Sequence, residues 1–432
     1  MAFVKKPVKG MQDFLPADMR LRESIIHMIK ESYARHGFMQ IETPVMEHLS
    51  NLQSKQGGDN EKLIFQVMKR GRDLERGVRK VRDCEEEQAV ATERQECSDS
   101  GLRYDLTLPL SRYFANNKEQ LPNPFKALQI GNVWRADNPQ KGRFRQFTQC
   151  DIDILGDDSN LAEIELVSAT SAMLKRILAP TDITGLTVHV NDRSILRAAA
   201  LKAGFPEDRI GSVLITLDKF DKIGFDGVEA ELLQAGYAPE VVSGYVALYR
   251  DAASDIDCAE FCADLGEFLD VSVAASLDEI VACSRTMVGE GVTIKFDPTL
   301  VRGMGYYTGP IFEVSVDGYG FSIAGGGRYD KMVGNFIGED VCAVGFSIGF
   351  ERIITILRDF GVTAPLDEAG ATVFLIDKKV TQEKKMQVLA QAHELRSQGK
   401  TASVQPLKKN AKRQIAALEA EGFTDFVKVY AD

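Results

Sequence analysis

The residues with the most chemistry lie between positions 128 and 155. A strand-like run, LQIGNVW, leads into the loop RADNPQKGRFR, which carries Arg135, Asp137, Lys141, Arg143 and Arg145. A second run, QFTQCDIDIL, follows it. Strand side chains alternate between faces, so Phe147, Gln149, Asp151 and Asp153 share one face. Thr148, Cys150, Ile152 and Ile154 share the other, which is core-like. The first face offers an aromatic plate, an amide and two carboxylates beside a cationic loop. Guanidinium groups fork toward phosphate oxygens and hold their charge. A flat base joined to a polyphosphate fits that pairing. A plain hairpin with one solvated face would carry the same residue types.

Four further clusters follow the same logic. In LRYDLTL, Arg103, Asp105 and Thr107 alternate together on an expected strand, and an acid beside a hydroxyl can hold an ammonium group. In VRGMGYYTGPIFE, Arg302 sits among glycines ahead of Tyr306 and Tyr307. In AGGGRYD, Gly325 to Gly327 precede Arg328 and Tyr329. In VGFSIGFERII, Arg352 opens an amphipathic helix after a strand. Glycines let a backbone approach a ligand closely, and they also make ordinary turns. The chain has no GxxxxGK[ST] and no GxGxxG between a strand and a helix. Any phosphates are therefore expected to be held by side chains.

The elements that must position these clusters can be read from periodicity. Leu21, Ile25, Ile29 and Tyr33 recur every four residues and predict a helix over 18–36, stopped by Gly37. Alternating runs predict strands in LRYDLTL, FKALQIGNVW, QFTQCDIDIL, LTVHVN, VTIKFDP, GPIFEVSVDG, GFSIAGGGRYD and VCAVGFSIG. A helix is expected over 161–178. The stretch 194–285 is Ala- and Leu-rich, without a chemical constellation, and reads as a mainly helical insertion. Sheet, helical insertion and sheet again predict one antiparallel core interrupted in sequence. Residues 69–99 hold 8 Lys or Arg and 9 Asp or Glu, which predicts a solvated insertion, either a frayed helix or a mobile flap. After Pro365, strands alternate with helices, as in a small α/β domain.

Composition sets the outer bounds. The 432 residues include 44% hydrophobic and 27% charged positions, ordinary for a globular protein large enough to need no staple. No apolar run reaches the length of a membrane span or a signal peptide. Seven cysteines, irregularly spaced, and only five histidines predict reduced thiols in a cytoplasmic protein rather than disulfides or a zinc site. The net charge of −11 excludes a basic nucleic-acid coat. Residues 371–432 nevertheless carry a net +4, against −15 for the rest, which hints at an anionic partner.

Taken in order, the clusters resemble a known family. The strand–loop–strand of 125–154 resembles motif 2 of class II aminoacyl-tRNA synthetases. GFSIGFERI resembles motif 3, and IETPVMEHLSNL, with Pro44, resembles motif 1. RGMGYYTG, AGGGRYD and the opening KGMQDFLP are similar to signatures of histidyl-tRNA synthetases. The resemblance is close from about Lys9 to Arg352 and loose beyond.

It implies an α+β fold: an antiparallel class II catalytic core of six or seven strands, a mainly helical insertion and a small C-terminal α/β domain. The expected domains are 1–192 and 286–365 for the core, 193–285 for the insertion and 366–432 for an anticodon-binding-like domain, shorter than the family's usual form. The resemblance further implies ATP-dependent activation of L-histidine and its transfer to tRNA(His), with Mg²⁺ and a homodimer formed through motif 1. Arg135, Asp137, Arg143, Phe147 and Arg352 would bind ATP. Phe147 would stack on adenine, with Arg352 on its other face. Asp105, Thr107 and Gln149 would hold the α-amino group. Asp153 and Tyr307 would read the imidazole, with Tyr306 and Tyr329 lining the pocket. Arg302 and Arg135 would be catalytic, and no protein ligand to a metal is assigned. Gly305 stands where the family signature has Asp, which suggests a divergent branch. Lys408, Lys409, Lys412 and Arg413 could meet tRNA phosphates. The other reading is a non-catalytic relative that binds histidine as a regulatory subunit of ATP phosphoribosyltransferase.

Overall fold

The structure, a computed structural model, describes residues 3–53, 63–85, 88–140, 142–251, 256–303, 305–364, 366 and 370–431. Its strands are β1 (Met39–Gln40), β2 (Met46–His48), β3 (Gln66–Met68), β4 (Ser98–Leu102), β5 (Phe125–Trp134), β6 (Gln146–Leu155) and β7 (Leu186–Asp192). They continue as β8 (Val292–Phe296), β9 (Pro310–Val316), β10 (Ala324–Arg328), β11 (Ala343–Gly349), β12 (Ala371–Ile376), β13 (Thr401–Pro406) and β14 (Asp425–Val429).

Contacts divide the chain into two units, one of residues 1–12 and 28–356 and one of 13–27 and 357–432. The first holds an eight-stranded sheet ordered β1-β5-β6-β11-β10-β9-β7-β8. Its centre is antiparallel. β5 and β6 pair over their full length, from Phe125 opposite Leu155 to Trp134 opposite Gln146. β6 in turn pairs with β11, setting Asp153 opposite Gly345 and Asp151 opposite Ser347.

An entirely antiparallel core does not describe this sheet, because both edge pairs are parallel: β1 with β5 and β7 with β8. A parallel pair needs a long crossover. For β7 and β8, the helices between Arg193 and Val288 supply it. The helix Leu161–Leu178 packs against the sheet and buries Leu166, Met173 and Ile177.

LRYDLTL is not a strand throughout. β4 ends at Leu102, and a helix runs from Thr107 to Asn117. Asp105 Oδ1 accepts the Leu108 N–H at 3.3 Å, a capping contact, and Pro109 is tolerated in the first turn.

The charged stretch 69–99, expected as a frayed helix or a mobile flap, contains two helices, Gly71–Asp83 and Ala89–Glu96. They pack through Gly77, where a Cβ would lie 2.5 Å from the Glu96 carbonyl oxygen. A Lys80–Glu96 ion pair at 2.8 Å links them.

In the second unit, β13-β12-β14 form a parallel sheet. β12 is buried on both faces: Phe374 packs with Val388 and Ala392, while Val373 and Leu375 pack with Leu418. Its continuous apolar run, ATVFLI, is what two-sided burial requires.

Candidate active site

One face of β6 forms the floor of the site. Phe147, Gln149, Asp151 and Asp153 point to it, as alternation requires, but its carboxylates are not solvated. Asp151 is 3% exposed and Asp153 2%. The neighbouring strands keep the space above them open with glycine. A Cβ on Gly345 would lie 2.1 Å from Asp153 Oδ1, and one on Gly325 would lie 2.6 Å from Arg302 Nη1. Larger residues at either position would collide with the functional groups, which explains Gly325 of AGGGRYD and Gly345 of VGFSIG.

A web of polar contacts surrounds this floor. The Tyr329 hydroxyl donates to Asp153 Oδ1 at 2.6 Å. Tyr306 packs 4.7 Å from Tyr307 and 6.1 Å from Tyr329, ring centre to ring centre. Burial raises the Tyr306 and Tyr307 phenols, and at Tyr307 the Arg302 charge opposes it. Gln149 Nε2 donates to Ser347 Oγ at 2.7 Å. Thus Asp105, Thr107, Gln149, Asp153, Tyr306, Tyr307 and Tyr329 gather from four separate segments.

Burial dominates the electrostatics of the acids. It raises the Asp105 carboxyl to about 6 against the opposing pull of Arg135. It raises Asp153 to about 7, although the Tyr329 hydroxyl works the other way. Asp151 is driven well above the ordinary range by burial first and by Asp153 second. Four buried acceptors in this hollow have no hydrogen-bond partner: Asp105 Oδ2, Gln149 Oε1, Asp151 Oδ1 and Asp153 Oδ2. Orphaned buried acceptors are costly, and here they are complementary to a donor-rich ligand.

The cations form the other half. Arg302 is ion-paired to Glu313 on β9. Arg135 lies 5.3 Å over the Phe147 ring and donates through Nε to the Tyr104 carbonyl at 2.9 Å. Arg143 pairs with Asp137 at 2.9 Å. Burial, and then the charges of Arg302, Arg143 and Arg135, push the Arg352 guanidinium down, while Glu313 opposes them. Four arginines from motif-like segments far apart in sequence therefore share one field. An anionic ligand relieves such crowding.

The remaining polar residues have these partners. Arg352 lies 5.5 Å over Phe321 and donates to the Ser322 hydroxyl at 3.2 Å. Asp137 is engaged by Arg143, and Arg145 Nε bonds its carbonyl at 3.0 Å. Arg103 does not join Asp105 and Thr107. Its guanidinium donates to the Thr43 and Asn132 carbonyls at 2.7 and 2.9 Å. Arg328 is structural, chelated by the fully buried Glu163 at 2.6 and 2.8 Å. Lys141 lies outside the described residues. Sequence reasoning gave no role to Ser347, Glu313 or Phe321. For Glu313, the only available signal was a lone acid in an apolar strand, PIFEVSV.

A sheet floor bearing arginines for phosphates and acids for an amino acid has the make-up of a class II aminoacyl-tRNA synthetase. A family model described as "Histidyl-tRNA synthetase" matches residues 10–80 and 85–353. A histidine--tRNA ligase of Leifsonia xyli subsp. xyli is 40% identical over all of this chain and 97% of that relative. A crystal structure of histidyl-tRNA synthetase from Nostoc sp. PCC 7120 superposes with a TM-score of 0.76 at 26% identity, covering 100% of this chain and 93% of that one. A structure from Bacillus halodurans C, described as an ATP phosphoribosyltransferase regulatory subunit/histidyl-tRNA synthetase, superposes at 0.75 over 100% of both chains. At 19% identity it speaks to the fold alone. The chain belongs to the histidyl-tRNA synthetase family.

Proposed function

We infer that the protein activates L-histidine with ATP to histidyl-adenylate and transfers the histidyl group to the 3' end of tRNA(His). One observation carries this reading: four unpaired buried acceptors lie near a group of arginines, with Arg135 acting on Asp105 and Asp151, and Arg302, Arg143 and Arg135 acting on Arg352. The acceptors suit an ammonium and a ring N–H, and the arginines suit a triphosphate.

In the first step the histidine carboxylate attacks the α-phosphorus and pyrophosphate leaves. Negative charge grows at the α-phosphoryl oxygens, where Arg135 and Arg302 are assigned. Fixed cations that need no reorganisation are the strongest aid a site can give there. No general base is required, because the carboxylate is already ionised. Arg143 is assigned to the outer phosphates, Phe147 and Arg352 to adenine, and Asp137 to holding Arg143 in place. In the second step a terminal ribose hydroxyl attacks the adenylate carbonyl and AMP leaves.

Asp105, Thr107 and Gln149 are assigned to the α-amino group, Asp153 and Tyr307 to the ring, and Tyr306 and Tyr329 to the pocket wall. Among the described residues no group of three or more His, Cys, Asp or Glu could hold a metal ion. Mg²⁺ as the cation that accompanies ATP belongs to the same reading. A homodimer through the motif 1 segment and a cytoplasmic location belong to the same reading. Free thiols at all seven cysteines support the latter. Among the described residues no helix is long and apolar enough to cross a membrane.

The test is pyrophosphate exchange into ATP with each of the twenty amino acids. Histidine alone should support it, and exchange with none would refute the assignment. The regulatory-subunit reading is less favoured: relatives 33–40% identical over most of the chain are called histidine--tRNA ligases.

A further inference from the structure

The three buried acids of the site, Asp105, Asp151 and Asp153, are not equivalent, and Asp151 is left without a function by the assignments above. It lies between Gln149 and Asp153 on one face of β6, flanked by Gln129 on β5 and Ser347 on β11. It is 3% exposed, and its Oδ1 has no partner.

Ser347 lies directly opposite Asp151 across the β6–β11 pair. Its hydroxyl accepts from Gln149 Nε2 at 2.7 Å. This bond turns the Gln149 amide so that Oε1, rather than the NH₂ group, is the free atom. The hollow therefore presents Asp105 Oδ2, Gln149 Oε1 and Asp151 Oδ1 as free acceptors. Asp153 lies further along the strand, held by Tyr329.

An ammonium group has three N–H donors. We propose that Asp151 contacts the substrate directly, its free Oδ1 accepting an N–H of the amino acid's α-ammonium group beside the partners already assigned to it, Asp105, Thr107 and Gln149. The inference rests on the histidine-activating function and adds a specificity residue to it. The ammonium supplies the positive charge that lets a buried carboxylate ionise, and the carboxylate supplies the hydrogen bond that an uncharged analogue cannot use. Ser347 acts one step back, as a positioning residue for Gln149.

The test uses the full-length enzyme carrying Asp151→Asn, which keeps the side-chain shape, and Asp151→Ala. In pyrophosphate exchange, KM for histidine should rise roughly ten- to hundredfold, as expected for a lost charge-assisted hydrogen bond, with KM for ATP unchanged. Two inhibitors locate the contact. Histidinol, which keeps the ammonium, should bind the Asn variant more weakly by the same factor. Imidazolepropionate, which lacks the amine, should bind both enzymes equally. An unchanged KM for histidine would overturn the proposal, as would equal weakening of both inhibitors, since Asp151 would then act on the ring or on the fold. Wild-type enzyme that gives no histidine-dependent exchange refutes the functional reading instead.

Discussion

The Tyr329 hydroxyl donates to Asp153 Oδ1 at 2.6 Å, and the two side chains are 1% and 2% exposed. This bond holds the carboxyl so that its second oxygen, Oδ2, stays free in the hollow. Tyr329→Phe keeps the ring and removes the donor. KM for histidine should rise by roughly tenfold, the cost of one hydrogen bond to an ionisable group, with KM for ATP held. A variant with unchanged histidine kinetics would show that Asp153 does not read the ring.

The room above Asp153 depends on one missing methyl group. A Cβ at Gly345 would sit 2.1 Å from Asp153 Oδ1, while the backbone there is regular strand paired to β6. Gly345→Ala should therefore raise KM for histidine more than Tyr329→Phe does, because it displaces the carboxylate instead of freeing it. Steady-state exchange kinetics on both variants give the order, and the reverse order would place the ring away from Asp153.

Arg302 joins the acids to the cations. Burial opposes its charge, but Tyr307 and Glu313 more than offset this and hold it ionised. Its role as a fixed cation at the reacting phosphate predicts that Arg302→Ala lowers the rate of histidine-dependent exchange by about 10²–10³-fold. Arg302→Lys should recover only part of it, since an ammonium cannot fork. Exchange at the wild-type rate in the Ala variant would end the assignment.

How legible this site was in the sequence varied with what each residue depends on. β6 was spelled out by its alternation, because period two is a local property, and its face carries Gln149 and Asp153 as that alternation implies. The burial of that face was not legible. A solvated hairpin has the same pattern, and only the β5–β6–β11 pairing and the covering tyrosines make it interior. The helix at Thr107 was missed in favour of alternation, although Asp105 ahead of Pro109 is a helix-start signature. Glu313 and Ser347 depend on cross-strand register with β10 and β6, which no local pattern encodes. The parallel edges of the sheet likewise depend on long crossovers.

The acids set a pH dependence whose sign follows from their shifts. A carboxyl with a higher pKa folded than unfolded takes up a proton on folding. Its stabilising contribution is complete below the ordinary carboxyl range and is lost as pH rises. For Asp105 the loss runs to about pH 6, and for Asp153 to about pH 7. The ligand-free enzyme thus carries strained carboxylates at pH 8. Asp105→Asn should melt a few degrees above wild type at pH 8 and show little gain at pH 4.5, while its KM for histidine rises. Thermal melts at the two pH values check this. An equal gain at both would mean that ionisation is not the cause.

The last prediction concerns the second unit alone. A hollow of about 410 Å³ there is lined by Gln405, Lys408, Asn410, Arg413, Gln414, Ala417, Leu418 and Glu421. Its walls come from β13 and the helix Ala411–Ala420, whose start is capped by the Asn410 side chain bonding the Arg413 N–H at 3.0 Å. Gln414 ties the helix back to the strand through the Pro406 carbonyl at 3.0 Å, so Lys408 and Arg413 are presented from a fixed frame. Two cations on a rigid rim suit a polyanion, and their effect on affinity should depend on salt. The double variant Lys408→Glu, Arg413→Glu should raise KM for tRNA(His) in charging and flatten its dependence on salt. Histidine-dependent pyrophosphate exchange, which needs no tRNA, should be unaffected. If the variant charges tRNA with wild-type KM and salt slope, this surface does not meet the nucleic acid. If exchange falls as well, the substitutions have damaged more than binding.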